Sequence, residues 1–433
     1  MRDSTTRRIH RLPRRAAALA TLGALLLTAT ACGGDDDAGD DDAGPPEGVD
    51  VQELLGPEDP AEGEPVRLGM LSDGSTQAYD NTDELRAAEA TAEFWNQHRG
   101  GVGGRPIEVV TCETGGDPAS ATDCANQFVE EGVVAVAIHN SATLESAWEP
   151  LHQAGVPTML VQAFGDALMA DDQNTFALAS PLATFFGLPI SVAESEDADK
   201  VAFVIIDVPQ AVGILTEGQG PEILENAGVE SEVVRIPIGT ADMTSQMQEV
   251  VSGGAGVVQV IGNDAFCIAA FNGLAAAGYE GAITTVSQCI TDATREGVSG
   301  DVLEGIYLTS TVALGAEDDP SYQLYEAIVS EYGDDISDPE TTIAMGGYTA
   351  MASLATSLAE IEGEITPETA TEAIRTMPEQ DVPGGGGVTF QCGGSAVPSQ
   401  PAVCSNQWLR TQLDADGNPT DYEPIDSSAL LES

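Results

Sequence analysis

The sequence predicts an α/β protein of two similarly built lobes, each formed around a parallel sheet, and three observations predict it. Short apolar, β-branched runs such as 133–138 (VVAVAI), 156–161 (VPTMLV) and 201–206 (VAFVII) have the composition of strands buried on both faces. Segments with apolar residues at helical spacing separate these runs, so strand and helix alternate. The alternation completes one series and starts a second at Lys200, in a chain of 433 residues that is too long for one ordinary core.

Ahead of the first series, residues 1–31 read as an export signal. Arg2, Arg7, Arg8, Arg11, Arg14 and Arg15 form a basic start, 16–27 an apolar core, and 28–31 a small-residue approach to Cys32. This resembles a bacterial lipoprotein signal, with Ala29 standing where such signals usually carry Leu. It implies a lipidated Cys32 and anchoring to the outer face of the plasma membrane. Residues 32–65 contain GGDDDAGDDDAGPPEG, have no apolar face to bury, and are expected to be an acidic disordered tether.

The first series then runs strand 66–71, helix 82–98 with Leu85, Ala88, Ala92 and Trp95 on one stripe, a glycine-rich turn, strand 107–111, and a helix from Asp117 to Glu131. Strand 133–138 leads into a helix whose apolar positions are Leu144, Ala147 with Trp148, and Leu151, with Pro150 in its last turns. Asn140 and Ser141 stand where its N-cap belongs. A helix N-terminus at the carboxyl end of a buried strand suits a carboxylate or similar anion, which makes 133–163 the best-placed candidate for gripping a ligand. The plainer reading is that the two residues only cap the helix. A short strand at 175–178 and a helix at 182–193 close the series.

In the second series, strands are expected at 201–206, 232–236, 256–261 and 282–286, with helices at 211–227, 243–251 and from Cys267 to Ala277. A crossing strand at 305–311 and helices at 322–332, 341–360 and 367–377 follow. The tail from Gly384 reads as a hairpin closed by Cys392 and Cys404. Asp414, Asp416 and Asn418 have a misplaced glycine for a calcium loop and read as a turn.

Composition excludes several functions. A formal charge of −56 with Lys200 as the only lysine leaves nothing to neutralise duplex phosphates, so no nucleic-acid partner is expected. There is no GxxxxGK for a nucleotide, and no HExxH, GxSxG or GxGxxG. Beyond the leader the only histidines are His98, His139 and His152; His139 beside the proposed site is a contact, a proton donor or a packed strand-end residue. No enzyme activity, cofactor or metal is expected. With Cys32 assigned, six cysteines remain in three neighbouring couples, Cys112 with Cys124, Cys267 with Cys289, and Cys392 with Cys404. Fifteen pairings are formally open; outside the membrane the couples favour three local disulfides, each closing a loop worth about 3 kcal/mol.

Together these residues resemble the type I periplasmic solute-binding proteins, in particular the branched-chain amino acid receptor group of ABC importers. The resemblance runs from Val66 to about Ala359. It rests on VRLGMLSDGS, on AAEATAEFWNQHRGGVGGRPIEVV, on CETGGDPASATDCANQFVEEGVVAVAIHNSATLESA, on QAGVPTML and on GYTAMASLATSLAE, in that order, and the paired cysteines resemble those of actinobacterial members. It implies two Rossmann-like lobes joined by three crossings: lobe one at 66–183 plus 314–376, lobe two at 184–313 plus 377–433. A small-molecule solute, amino acid-like, amide or carboxylate, would be held in the cleft, and closure would be read by an ABC permease with its ATPase. The membrane is expected to be met only through the lipid anchor, and the chain to be a monomer.

The resemblance also implies a ligand set. Ser141 falls where the family has a serine that holds the ligand carboxylate, flanked by Asn140 and Thr143; Ala163 and Phe164 fall on the segment that completes that grip, though Phe164 has no hydroxyl. Ser75 and Tyr79 lie on the first-lobe loop. On the second lobe Ala211 and Asn263 replace tyrosines of the amino acid binders, and Ser287 or Gln288 stands where those have the acidic partner of the ammonium. A buried ammonium without that partner is costly, so the expected solute is not a standard branched-chain amino acid but another small anionic or uncharged one. Two other readings are a ligand-sensing receptor ectodomain acting with a membrane partner, and a purely structural wall lipoprotein.

Overall fold

In the computed structural model, which describes residues 51–76, 79–162, 165–216 and 220–431, two large sheets carry the fold. The first contains β1 (Val66–Ser72), β2 (Ile107–Glu113), β3 (Ala135–Ile138), β4 (Thr158–Gln162) and β5 (Thr175–Ala179), all parallel, in the order β2-β1-β3-β4-β5. The second contains β6 (Lys200–Ile206), β7 (Glu230–Ile236), β8 (Val257–Ile261), β9 (Ala282–Val286) and β10 (Tyr307–Ser310), parallel in the order β7-β6-β8-β9-β10. Numbered from its own first strand, each sheet therefore has the same order. β11 (Gln380–Asp381) and β12 (Thr389–Phe390) make a small ribbon, and β13 (Gln407–Gln412) and β14 (Glu423–Asp426) extend the second sheet antiparallel.

The helices of the first series are α1 (Val51–Leu55), α2 (Thr82–His98), α3 (Pro118–Glu130), α4 (Leu144–Gln153), α5 (Asp166–Met169) and α6 (Leu188–Ser195). The second series adds α7 (Pro209–Thr216), α8 (Gly220–Asn226), α9 (Thr244–Ser252), α10 (Asp264–Ala276), α11 (Asp292–Gly297) and α12 (Gly300–Leu303). After β10 come α13 (Pro320–Tyr332), α14 (Thr342–Leu358), α15 (Pro367–Thr376) and, after β14, α16 (Ser428–Leu431). The chain passes between the sheets after β5, after β10 and between α15 and β13.

Alternation along β1 shows why the sheet has two apolar faces. Leu68 and Met70 pack with Ala135, Ala137, Met351 and Leu354 on one side, while Leu71 packs with Val136, Ile138, Phe128 and Leu160 on the other. Burying a side chain such as Phe128 contributes about 1.5–3 kcal/mol. The close seating of α14 on this lobe depends on Gly346 and Gly347: a Cβ at Gly347 would run into the Glu84 backbone of α2, and one at Gly346 into the His139 ring. The three disulfides join Cys112 to Cys124, Cys267 to Cys289 and Cys392 to Cys404, with Cα atoms 5.7, 5.5 and 4.3 Å apart.

Two expectations are corrected. The tether does not extend to Pro65: Val51, Leu54 and Leu55 give residues 51–55 an apolar face, and Leu55 is fully buried among Phe94, Tyr325 and Ile328. Residues 59–61 then bond back to the end of α2, through Asp59 N–H to Gln97 O and Ala61 N–H to Asn96 O, both at 2.8 Å. The tail is not a hairpin whose strands face each other across Cys392 and Cys404. β12 pairs with β11, and β13 pairs with β10 and β14. Between them residues 402–404 lie parallel to β5, with Ala177 N–H to Ala402 O and Cys404 N–H to Ala177 O at 2.7 Å, so the tail covers an edge of the first sheet before it joins the second. Asp414 makes the expected turn, its Oδ1 accepting from the N–H of Asp416 at 2.9 Å and of Asn418 at 2.8 Å.

Candidate functional site

In both sheets the strand order reverses beside the first strand, between β1 and β3 and between β6 and β8. The crevice beyond the carboxyl ends of such strands is where open α/β sheets hold ligands. In the first lobe three loops meet there: Asp73 directly follows β1, Thr114 directly follows β2, and residues 139–143 follow β3.

All three loops close on one carboxylate. Asp73 Oδ1 accepts from Thr114 Oγ1 at 2.6 Å and from Ser141 Oγ at 2.8 Å; Oδ2 accepts from the Ala142 N–H at 2.8 Å and from the Tyr79 hydroxyl at 2.9 Å. Asp73 is 1% exposed, and none of its four donors is a cation. Burial alone would raise its pKa; the bonds from Thr114, Ala142, Ser141 and Tyr79 outweigh burial and hold the carboxyl below its ordinary range. Tyr79 responds oppositely, its phenol pushed up to about 12 by burial and by the Asp73 carboxylate it donates to. Ser141 Oγ in turn accepts the Thr143 N–H at 3.1 Å, which orients its own hydrogen toward Asp73.

A second buried acid lies next to the first. Glu84, on α2, is 0% exposed; it accepts from Ser72 Oγ and stands 3.0 Å from His139 Nδ1. Burial raises its pKa, against the lowering effect of His139 and Ser72. His139 is thereby a packed strand-end residue, fixed between Glu84 and Gly346.

The expected ligand residues fare differently. Ser141, Thr143 and Tyr79 belong to the network around Asp73, while Asn140 and Ser75 are exposed, Ser75 bridged to Asp80. Asn140 and Ser141 are not the N-cap of α4. That position is Thr143, whose side chain makes no capping bond because its hydroxyl turns to Ser141 and Thr114. Ser141 sits two residues earlier and, with the Ala142 amide, serves Asp73 rather than the helix end. On the second lobe Asn263 is the exposed N-cap of α10, its Oδ1 accepting from the Phe266 N–H at 3.0 Å. Ser287 is half-buried and Gln288 exposed on the single 3-10 turn after β9. Ala163, Phe164, Cys32 and the side chain of Ala211 lie outside the described residues.

Sequence reasoning missed Asp73, Thr114 and Glu84. A signal existed for Asp73, an acid placed directly after a strand that is apolar apart from Arg67 and Ser72. One existed for Glu84 too, which shares its helix face with the buried Ala87, Ala88 and Thr91. Apart from this site, a pocket of about 320 Å³, open mouth included, is lined by Val161, Leu178, Ser310, Thr349, Val382 and Trp408 where the crossings meet, and it contains none of the expected ligand residues. Among the described residues no group of three or more His, Cys, Asp or Glu could hold a metal ion, and no helix is long and apolar enough to cross a membrane.

Solved structures with this fold include an ABC transporter substrate-binding protein from Sphaerobacter thermophilus, at 20% identity and TM-score 0.67, covering 84% of this chain and 98% of that one. A solute binding protein from R. palustris, in complex with 4-hydroxybenzoate, shares 20% identity at TM-score 0.64 and covers 84% and 97%. The branched-chain amino acid transporter substrate binding protein of Streptococcus pneumoniae, in complex with isoleucine, shares 17% at TM-score 0.62 and covers 84% and 100%. No curated protein matches the sequence. The model of the periplasmic binding protein family matches residues 65–403, most of the chain including both sheets and the loops around Asp73, and the chain belongs to that family.

Proposed function

We propose that this protein is an extracytoplasmic solute-binding lipoprotein, which captures a small polar solute between its lobes and delivers it to an ABC permease driven by a separate ATPase. The supporting observation is the pair of sheets of equal strand order, each presenting polar loops at its reversal point, in a chain that belongs to the periplasmic binding protein family. The residues proposed to face the solute are Ser75, Tyr79, Asn140, Ser141 and Thr143 on the first lobe and Asn263, Ser287 and Gln288 on the second. The solute is not a standard branched-chain amino acid, since neither Ser287 nor Gln288 supplies a charge for an ammonium. Transport requires that the solute favour the closed pair of lobes over the open one; about 5.5 kcal/mol of preference turns a 1:99 mixture into 99:1.

A thermal-shift screen of amino acids, amides, carboxylates, urea-like compounds and aromatic acids tests this reading. A true ligand raises Tm, and its affinity falls at least tenfold in both Tyr79→Ala and Gln288→Ala, one substitution per lobe. Tight binding of leucine or valine by calorimetry overturns the solute class. Anchoring is tested separately: mass spectrometry finds acyl chains on Cys32, and Cys32→Ala releases the protein from the membrane.

A further inference from the structure

We propose that Asp73 is a built-in occupant of the carboxylate position in the first lobe, so that the solute presents a neutral or cationic end there, such as an amide, a polyol or an amine. The inference rests on the solute-binding reading and narrows it, by removing carboxylate-first ligands from the expected set.

The geometry carries the argument. A carboxylate is best held by convergent hydroxyl and amide donors at 2.6–2.9 Å, and the first lobe provides four of them from the loops after β1, β2 and β3. All four already point at Asp73. Each carboxylate oxygen receives two of them, which leaves neither the Ser141 hydroxyl nor the Ala142 amide free to donate to a second anion. Ser141 has one hydrogen, and that hydrogen is on Asp73 Oδ1. A solute carboxylate brought to the same loops would also lie beside the Asp73 charge with no cationic side chain bonded to it to offset the repulsion. The nearby Glu84, paired with His139, supplies no positive charge that Asp73 contacts. A neutral donor or an ammonium at this end meets the opposite situation, because the buried charge attracts it across the Tyr79 and Ser141 side chains.

Chemical rescue tests the assignment without knowledge of the natural solute. Asp73→Ala removes the carboxylate and leaves its four donors around an empty space. Its Tm is expected to fall by about 4 °C or more, and acetate or formate, but not chloride at equal ionic strength, to restore at least half of the loss. Wild type is expected to show no acetate-specific shift. An Asp73→Ala protein indifferent to acetate, or a wild type stabilised by acetate as strongly as the variant, overturns the proposal. If Asp73→Ala does not fold, the wild-type Ala142 amide resonance carries the test. It moves when acid protonates Asp73 and stays still when acetate is added at neutral pH; a shift on adding acetate at neutral pH overturns the proposal. A failed solute screen with successful rescue counts against transport and not against the occupied position, so the two readings fail separately.

Discussion

Asp73 and Asp207 occupy the same place in two sheets of the same order, each one residue beyond the first strand, yet the fold treats them in opposite ways. Asp73 is 1% exposed and is held by three hydroxyls and an amide drawn from three loops. Asp207 is exposed and pairs through one oxygen with Arg235 on the adjacent β7, at 3.0 Å to Nε and 2.6 Å to Nη2. A mobile guanidinium at the surface compensates a charge without fixing it. A buried carboxylate with no bonded cation survives only if fixed dipoles replace water, so its loops must be in register before the charge can be tolerated. The loop donors at the first lobe's reversal point are thus already taken by Asp73, while Asp207 draws on a strand side chain and leaves the loops after β8 and β9 out of its pairing.

The largest effect that would break this contrast is on stability. Asp73→Ala should cost at least about 3 kcal/mol, since charged hydrogen bonds contribute about 1.5–3 kcal/mol each and the donors are left unpaired; Asp207→Ala should cost under about 1 kcal/mol. Calorimetric melting of the two variants decides it, and equal losses would end the comparison. The same carboxylate sets a pH window. Because the folded pKa of Asp73 is depressed, its contribution is complete above the unfolded value of about 3.9 and disappears as pH falls through the folded value. The stability gap between wild type and Asp73→Asn should accordingly close on acidification.

Glu84 sharpens the point with the reverse sign. Its folded pKa is raised, so the native state holds the proton more tightly, and wild type should lose stability relative to Glu84→Gln as pH rises from about 4.3 toward the folded value. Urea denaturation at a series of pH values reads this directly. Tyr79→Phe should cost less than a buried charged bond, about 1 kcal/mol, because Tyr79 is exposed and water can replace its hydroxyl at Asp73. In Asp73→Asn the Tyr79 phenol should titrate below its value of about 12, seen by ultraviolet absorbance. The smallest effect is salt: the Asp207–Arg235 contribution should fade near molar ionic strength, where the screening length shrinks to about 3 Å, while the buried Asp73 network holds.

The sheets were legible because buried parallel strands leave runs such as VAFVII that no surface segment tolerates, and β9 was expected over the residues it occupies. The pairing partners of the tail were not. β12 is only two residues long and residues 402–404 touch β5 at one bridge, so neither carries a pattern that names its partner, and the tertiary positions of β11, β5 and β10 decide which edge each part of the tail meets. At the site, Ser141 was found from its place after a buried strand, but its partner was not, because a bond between residues 73 and 141 leaves no periodic trace in either segment. The cap is misplaced for the same reason: Asn140 and Ser141 have the right chemistry, but the Ser141 hydroxyl is engaged by Asp73, and the helix starts at Leu144 with Thr143 as its N-cap.

The seating of residues 402–404 against β5 bears on the order in which the chain can assemble. The five parallel strands of the second sheet come from the uninterrupted stretch 200–310 and can associate as soon as it is available. The first sheet draws its strands from 66–179 yet waits for α14 to cover a face and for 402–404 to close an edge. Both sheets thus wait for the tail, the first for 402–404 and the second for β13 and β14, and any nascent or truncated chain ending before residue 402 carries an unsealed β5 that invites pairing with a neighbour.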